Sequence, residues 1–440
     1  MDGREGEGTV KTRVIELPYS EVCKIKPSLH LRPVRQSVFL RRLMQFLARF
    51  VLKSVHFSVS KNDMDRLKKN EPVLYLMNHS SFTDLEITSL LLGDGQYHIV
   101  CTNDGLVGKP GLMLRVGCIP AKKFISDMYL IKDMKYAVDK LGSSILMFPE
   151  ASYSFDGCET PLPDSLGKFL KVLGIPVVMI RTKGSFLRDP LYNGLQQRKV
   201  KVSANMYYML SAEDVREKSA EELNAILQGA FEIDNFKEQY ESGTVVDEPF
   251  RADGLNRVLY KCPKCHTEGE MHGEGIHITC RRCGLRFELT ELGKLEYAPE
   301  DPDEKSGGLY FDNVPEWYRW ERDCVRKEIE DGSYLMDLDT DIYMMVDYKA
   351  IYKVGEGRLV HDCNGFTLTG CDGQLNFRMS PKHSYSLYAD YYWYELGDMI
   401  AIGDTTKQFY CIPKDQEGTI VAKARLAAEE MYKKAMSELK

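Results

Sequence analysis

The chain has 440 residues, of which 43% are hydrophobic and 28% charged, and its formal net charge is -7. This length and composition are typical of a globular protein of two or three domains. The negative charge argues against nucleic acid as a partner. The sequence has neither an apolar run of 18 residues nor a signal-peptide core near residue 1, so we expect no membrane span and no secretion signal.

The N-terminal region divides into a polar part and a basic part. Residues 1–22 are predicted to form a disordered tail, and residues 23–62 a basic amphipathic helical region without acidic side chains. Within it, Val38 to Val51 has helical periodicity. Such a helix can lie on an anionic membrane surface. Alternatively, its apolar face packs on the protein core.

A histidine and an aspartate follow the first strongly apolar strand. The run Val73 to Met77 predicts a buried strand, His79 follows it closely, and Asp84 enters the first turn of an apolar helix. Catalytic groups concentrate at such strand ends. The carboxylate can orient the imidazole so that it takes a proton from a hydroxyl. The alternative is a capping aspartate beside a half-buried histidine, which the spacing alone favours.

Residues 63–250 alternate between strand and helix patterns, which indicates an α/β domain with a mostly parallel sheet and flanking helices. The predicted strands are Val73–Met77, Tyr97–Thr102, Ser144–Phe148, Pro176–Thr182 and Lys199–Tyr208, and the clearest helices are Met128–Leu141 and Asp164–Leu173. Glu150 is predicted at another strand end, where it either shapes a site or simply belongs to a Pro-Glu turn.

Four sequence blocks carry a family resemblance. They are Asn78-His79-x-x-x-x-Asp84, Gly117-Cys-Ile-Pro-Ala-Lys-Lys123, Phe148-Pro-Glu-Ala-Ser-Tyr-Ser154 and Gly174-Ile-Pro-Val-Val-Met-Ile180. Their order resembles that of the glycerophospholipid acyltransferases of the lysophosphatidate type. The resemblance covers about residues 70–210.

This resemblance implies a mechanism and a set of site residues. His79 would be the general base and Asp84 its partner. An acyl thioester, on coenzyme A or acyl-carrier protein, would be the donor, and a lysolipid the acceptor. The implied substrate-binding residues are Asn78, Glu150, Ser152, Tyr153, Lys122, Lys123 and Lys168.

The third block departs from the family pattern. Ala151, Ser152 and Tyr153 stand where the pattern has Gly, Thr and Arg. The arginine is thought to hold the acceptor's phosphate, a task that suits a bidentate guanidinium. The candidate substitutes in this chain are Lys122, Lys123, Lys168 and Arg181.

Four of the twelve cysteines have metal-ligand spacing. Cys262-x-x-Cys265 and Cys280-x-x-Cys283 predict a zinc ribbon over residues 257–292 with a closed, structural Zn site. Iron in a rubredoxin-like site is the alternative. The remaining cysteines are scattered, which favours reduced thiols in a cytoplasm. The ribbon's mixed charges do not favour nucleic-acid binding.

Residues 305–440 are predicted to form a connector helix, a small antiparallel β-rich domain and a C-terminal helix from Ala422 to Leu439. No activity follows from that layout. An α/β domain followed by a ribbon and a β-rich region resembles a bacterial subgroup of these acyltransferases. The implied location is cytoplasmic, peripheral on the inner face of the membrane.

The sequence leaves three functions open. The first is acyl transfer to a lysophospholipid such as 1-acyl-glycerol-3-phosphate. The second is acyl transfer to another lipid or sugar alcohol. The third is a non-catalytic module that binds lipid or protein on an acyltransferase scaffold.

Overall fold

The computed structural model of the protein describes residues 12–124, 127–194, 196–299, 310–414 and 420–438. These residues form three sheets, of seven, four and eight strands, which follow one another along the chain apart from one N-terminal strand.

The N-terminal segment belongs to the last sheet. β1 (Val14–Glu16) pairs in parallel with residues 351–353, and α1 (Tyr19–Val22) follows it. The predicted disordered tail over 1–22 is therefore wrong from residue 14 onward, because pairing between distant segments leaves no mark in a polar local sequence. Residues 1–11 lie outside the described residues.

The basic amphipathic helix is present as α2 (Val38–Ser54). The side that it turns to the protein carries Arg41, Gln45, Ala48 and Leu52. Its apolar side is exposed and consists of Val38, Phe39, Leu43, Phe46, Leu47, Phe50 and Val51. The alternative in which the apolar face packs on the core is therefore wrong. None of the described helices is long and apolar enough to cross a bilayer.

The α/β domain extends from residue 58 to residue 242. Its elements are β2 (Ser58–Asn62), β3 (Leu74–Met77), α3 (Thr83–Leu92), β4 (Tyr97–Thr102), α4 (Pro110–Arg115), β5 (Cys118–Ala121), α5 (Met128–Asp139), β6 (Ser144–Met147), α6 (Leu166–Leu173), β7 (Val177–Lys183), α7 (Ser185–Arg188), β8 (Ser203–Leu210), α8 (Ala212–Glu217), α9 (Ala220–Phe231) and α10 (Asn235–Ser242).

The strand order in this domain is β2-β8-β7-β3-β6-β4-β5. The five strands from β7 to β5 run parallel, whereas β8 runs antiparallel to β7 and pairs in parallel with β2. The sheet is thus mixed. Hydrophobic clusters cover both faces: Met134 and Leu170 pack on one, and Leu52 and Ile87 on the other. The parallel centre brings the carboxyl ends of β3, β4 and β6 to one edge.

The ribbon consists of the antiparallel strands β9 (Met271–Glu274), β10 (His277–Cys280), β11 (Arg286–Leu289) and β12 (Leu295–Tyr297). It therefore continues beyond its predicted end at residue 292.

The C-terminal β domain covers residues 310–438. It comprises α11 (Val314–Glu330), β13 (Leu335–Met344), β14 (Ile351–Asp362), β15 (Gly365–Gly370), β16 (Leu375–Met379), β17 (Tyr388–Trp393), β18 (Gly397–Gly403), β19 (Gln408–Pro413) and α12 (Ile420–Ser437). The strand order is β16-β15-β14-β13-β19-β18-β17, antiparallel throughout, with β1 added to β14.

One hydrophobic cluster joins the ribbon to its neighbours. It runs from Phe186 of the α/β domain through Phe287 of the ribbon to Trp317 of α11. The ribbon and the C-terminal β domain therefore share a core, although the sequence suggested separate units over 257–292 and 305–440.

Candidate active site

His79 and Asp84 form a hydrogen-bonded pair at the carboxyl end of β3. Nδ1 of His79 lies 2.9 Å from Oδ2 of Asp84. Because a carboxylate only accepts, Nδ1 carries the proton and Nε2 has a free lone pair. The same carboxylate oxygen accepts the backbone N–H groups of Ser80 and Ser81 at 2.9 and 3.2 Å. Asp84 is fully buried in the first turn of α3, where the helix dipole stabilises a negative charge.

The imidazole of His79 lies between two aromatic rings. The ring centroid of Phe148 is 4.3 Å away on one side and that of Tyr153 is 4.1 Å away on the other. The side chain is 18% exposed. Burial lowers the pKa of His79 below its ordinary value, although the hydrogen bond to Asp84 acts in the opposite direction. The imidazole is therefore neutral near pH 7, the form that a general base requires.

Glu150 lies behind His79 and does not line the cavity. Its Oε2 accepts the backbone N–H of His79 at 2.8 Å, and its Oε1 accepts that of Thr160 at 2.9 Å. Burial raises its pKa to about 7, even though both backbone donors favour the carboxylate. Glu150 was predicted to shape the acceptor site, but the structure gives it a different position, in which it fixes the backbone that carries the imidazole.

Asn78 also belongs to the scaffold. It is buried, its Oδ1 accepts the backbone N–H of Thr182 at 2.8 Å, and its Nδ2 donates to the Thr182 hydroxyl at 2.9 Å. These bonds join the end of β3 to β7. Asn78 therefore positions the loop that carries His79 and is not among the residues that line the cavity.

A cavity of about 1950 Å³ opens beside His79, between the α/β domain and the C-terminal β domain. Apolar side chains from the α/β domain, including Leu130, Met134 and Phe169, line one part of it. The C-terminal β domain contributes aromatic and charged side chains from β17, from the turn after it and from Tyr385. The lining thus includes apolar surface for a hydrocarbon chain and charged groups for a polar one.

Two of the predicted basic residues line the cavity. The Nζ of Lys122 donates to the backbone carbonyl of Thr405. The Nζ of Lys123 lies 4.1 Å above the ring of Tyr388. Burial lowers the pKa of Lys123. Lys123 is thus the more enclosed cation of the two.

The other two basic candidates lie elsewhere. Lys168 is exposed on α6, and the neighbouring Phe169 lines the cavity instead. Arg181 is paired with Glu238 at 3.3 Å, outside the cavity. Adjacent residues of a helix point in different directions, so a motif match at Gly167-Lys168-Phe169 does not fix which side chain reaches the site.

Two residues of the altered third block, Tyr153 and Ser152, lie in different places: one lines the cavity and the other is in the protein interior. Tyr153 lines the cavity, where its ring lies against His79. Ser152 is buried, does not line the cavity, and its hydroxyl has no hydrogen-bond partner among the described residues. From α12, Arg425 donates to the Tyr153 carbonyl at 3.3 Å.

Sequence reasoning missed the contribution of the C-terminal β domain. Asp104, which is buried just after β4, accepts hydrogen bonds on Oδ2 from the hydroxyl of Tyr388 at 2.9 Å and from Nε1 of Trp393 at 3.2 Å. These bonds fasten β17 over the cavity. One signal was present, because Asp104, like His79, follows a predicted strand of the parallel sheet. The sequence did not indicate its partners, which lie 284 and 289 residues further on.

The end of β17 has an unusual backbone where it lines the cavity. The pairing register with β18 breaks between Asp390 and Trp393. Tyr392, Tyr394 and Glu395 have φ angles of 56°, 45° and 63°. Non-glycine residues in this left-handed region cost on the order of 1 kcal/mol each or more. Such bulges and strained residues are over-represented beside functional sites.

The four ribbon cysteines lie together as a candidate metal centre. All four Sγ atoms are within 4.8 Å of one another, and the Cys262–Cys283 and Cys265–Cys280 pairs are 3.6 and 3.7 Å apart. The two knuckles have the same backbone form. In each, the first cysteine's carbonyl accepts the N–H of the fourth residue on, His266 or Gly284, which has a positive φ. The cluster can hold a metal ion.

The α/β domain has known relatives. Residues 58–183, from β2 to β7, match the model of the family described as Acyltransferase. The chain is 27% identical over 156 residues to a Brassica napus protein named 1-acyl-sn-glycerol-3-phosphate acyltransferase BAT2, chloroplastic. That alignment covers 33% of this chain and 44% of the Brassica protein, so the chain spans less than half of the relative's length.

A solved structure shows a more distant similarity. The 1-acyl-sn-glycerophosphate (LPA) acyltransferase PlsC from Thermotoga maritima aligns at 15% identity with a TM-score of 0.34, over 44% of this chain and 77% of that one. The match to the family model spans the segment that carries His79 and Asp84, and it supports the resemblance of the four sequence blocks to acyltransferases.

Proposed function

We propose that the chain, whose α/β domain is an acyltransferase domain, moves a fatty acyl group from an acyl thioester to the hydroxyl of a lysophospholipid such as 1-acyl-glycerol-3-phosphate. The observation that carries the proposal is the 2.9 Å bond between His79 and Asp84 beside the large cavity. That bond leaves Nε2 as the free nitrogen of a neutral imidazole. The family match and the Brassica relative support this reaction class.

The reaction needs no acyl-enzyme. Nε2 of His79 takes the proton of the acceptor hydroxyl as its oxygen attacks the thioester carbonyl. The new C–O bond forms, the C–S bond breaks, and the proton passes from the imidazolium to the departing thiolate. Asp84 stabilises the imidazolium and keeps its ring aligned. The thiol carrier is coenzyme A or acyl-carrier protein.

The exposed face of α2 supports a location on a membrane surface. Phe39, Phe46 and Phe50 are 74%, 53% and 61% exposed. Arg49 and Lys53 supply positive charge on the same helix, whereas Arg42 is paired with Asp94 at 2.6 Å. Apolar side chains beside basic ones bind an anionic bilayer without spanning it. We place the protein at the inner face of the cytoplasmic membrane, where the lysolipid acceptor also resides.

The cysteine cluster supports a structural zinc ion. Four sulfurs at about 2.3 Å from a central Zn²⁺ in a tetrahedron lie about 3.8 Å apart. The observed Sγ separations of 3.6 and 3.7 Å fit that shape. The four cysteines close the coordination shell, and the zinc would stabilise the ribbon without taking part in acyl transfer.

Release of free thiol tests the reaction. Full-length protein is incubated with palmitoyl-coenzyme A and 1-oleoyl-glycerol-3-phosphate. Thiol release should require the acceptor, and His79→Ala should reduce it by about 10²–10⁴-fold. His272→Gln, which changes a ribbon histidine, is the matched control and should retain activity. Acceptor-dependent release that persists in His79→Ala would overturn the assignment of the base.

A further inference from the structure

Two opposite charges, Lys123 and Asp390, face the same cavity. Each acts electrostatically on the other, but neither is in direct ion-pair contact with the other or with another described residue. The nearby carboxylate of Asp104 is already engaged by Tyr388 and Trp393. Two enclosed opposite charges that do not touch compensate each other only in part. A ligand that carries both a positive and a negative charge could make direct contact with each of them.

These two charges lie close to the catalytic histidine. Lys123, Asp390, Tyr153 and His79 all line the same cavity. Burial is the main reason that the pKa of His79 is lowered and that of Tyr153 raised, and the charges of Lys123 and Asp390 add to these two shifts. The ring of Tyr153 lies against that of His79. A head group held between Lys123 and Asp390 would therefore have its glycerol hydroxyl in the neighbourhood of Nε2.

Aromatic side chains flank Asp390. Tyr392, within the register break in β17, and Tyr394, beyond it, line the cavity in left-handed backbone conformations. The guanidinium of Arg257 already lies over the ring of Tyr392 at 4.4 Å, so Tyr394 is the tyrosine considered for a ligand. Trp393, between them, is anchored to Asp104. Tyrosine and tryptophan faces attract organic cations. A carboxylate next to such rings suits an ammonium group.

We propose that Lys123 and Asp390 form a head-group site for a zwitterionic lysophospholipid, with the phosphodiester on Lys123 and the ammonium group on Asp390 and the ring of Tyr394. This inference rests on the proposed acyl transfer and makes lysolipids of the phosphoethanolamine or phosphocholine type better acceptors than 1-acyl-glycerol-3-phosphate. It agrees with the altered third block, in which Ser152 and Tyr153 provide no guanidinium for a terminal phosphate.

Acceptor selectivity tests the site. Thiol release from palmitoyl-coenzyme A is measured at pH 8 with three 1-oleoyl acceptors: lysophosphatidylethanolamine, lysophosphatidylglycerol and lysophosphatidate. The ethanolamine lipid should have the highest kcat/KM. Asp390→Asn should lower that value about 10-fold more than it lowers the value for the glycerol lipid, the scale of one lost charged hydrogen bond. Lys123→Gln should lower kcat/KM for all three. Asp331→Asn, an exposed carboxylate of the same domain, is the matched control.

A binding measurement separates this inference from the proposed function. Calorimetry with soluble glycerophosphoethanolamine should show binding to the full-length protein that weakens about 10-fold in Asp390→Asn. Loss of acyl transfer with every acceptor, while this binding persists, would refute the function and not the site. If Asp390→Asn lowers kcat/KM equally for all acceptors, or binds glycerophosphoethanolamine as tightly as the native protein does, the head-group site is refuted and the proposed acyl transfer is not.

Discussion

Glu150 holds His79 by its backbone: Oε2 of the carboxylate accepts the N–H of His79 at 2.8 Å, while Oε1 accepts a second backbone N–H, from Thr160, at 2.9 Å. One buried side chain thus joins the end of β3 to the loop that follows β6. The position of the imidazole depends on this bridge as well as on Asp84.

Glu150→Gln should lower kcat/KM about 10- to 100-fold and also reduce the free energy of unfolding. A glutamine side chain has only one oxygen, so its NH₂ group would face the backbone N–H of either His79 or Thr160. That N–H would be left without an acceptor, which lowers the free energy of unfolding by about 1–3 kcal/mol. Kinetics and thermal melting measure both effects. The exposed Glu232→Gln serves as control. A variant with full activity would show that the bridge does not position His79.

The pH profile should show one basic group with a depressed pKa. Because burial lowers the pKa of His79 below its ordinary value, log kcat/KM should rise with pH, bend below pH 6.5 and stay flat up to pH 8. Asp84 raises the pKa of His79, so in Asp84→Asn the bend should move to still lower pH and kcat should fall about 10³–10⁴-fold. A bend well above pH 7 in the native protein would argue for a different base.

Metal analysis of reduced protein should find about one zinc per chain. Cys262→Ser should abolish zinc binding and lower the melting temperature of the C-terminal β domain as well as that of the ribbon, because Phe287 and Trp317 belong to one hydrophobic cluster. Cys363→Ser, which removes an exposed thiol outside the ribbon, is the control. Folded, reduced protein that contains no metal would contradict the zinc proposal, and one iron per chain would replace it with the rubredoxin-like alternative.

Liposome flotation should depend on the exposed phenylalanines of α2. Replacing Phe39, Phe46 and Phe50 together by serine should weaken binding to anionic vesicles more than 100-fold, since each buried phenylalanine contributes about 1.5–3 kcal/mol. Higher salt should weaken the native protein's binding further. The control is the double variant Val172→Ser, Val245→Ser, which replaces two exposed valines that lie outside α2. Unchanged flotation of the triple variant would place the membrane contact elsewhere.

Local patterns in the sequence predicted much of the α/β domain. The strand Tyr97–Thr102 was predicted to the residue, and the Cys262–Cys283 cluster followed from its spacing. His79 and Asp84 could be placed because a buried strand, a polar turn and a helix follow one another within 20 residues. In each case the determining interactions lie within a short stretch of chain.

Contacts between distant segments could not be predicted in this way. The strand-end position from which Glu150 was predicted did not reveal that its oxygens accept backbone N–H groups. Similarly, Lys168 lies one residue away from Phe169, whose side chain reaches the cavity. The hydrogen bonds from Tyr388 and Trp393 to Asp104 arise only when two sheets pack together. A single sequence contains no signal for that packing.

The short parallel strand at the start of the chain affects how this protein can be shortened. Val14–Glu16 covers the backbone of residues 351–353, in the same sheet whose β17 encloses the cavity. Proteolysis or deletion before residue 23 would uncover that stretch of β14 and leave its hydrogen-bonding groups available to a strand from another molecule. Aggregation of a shortened chain would then reflect an exposed sheet edge rather than a defect in the α/β domain.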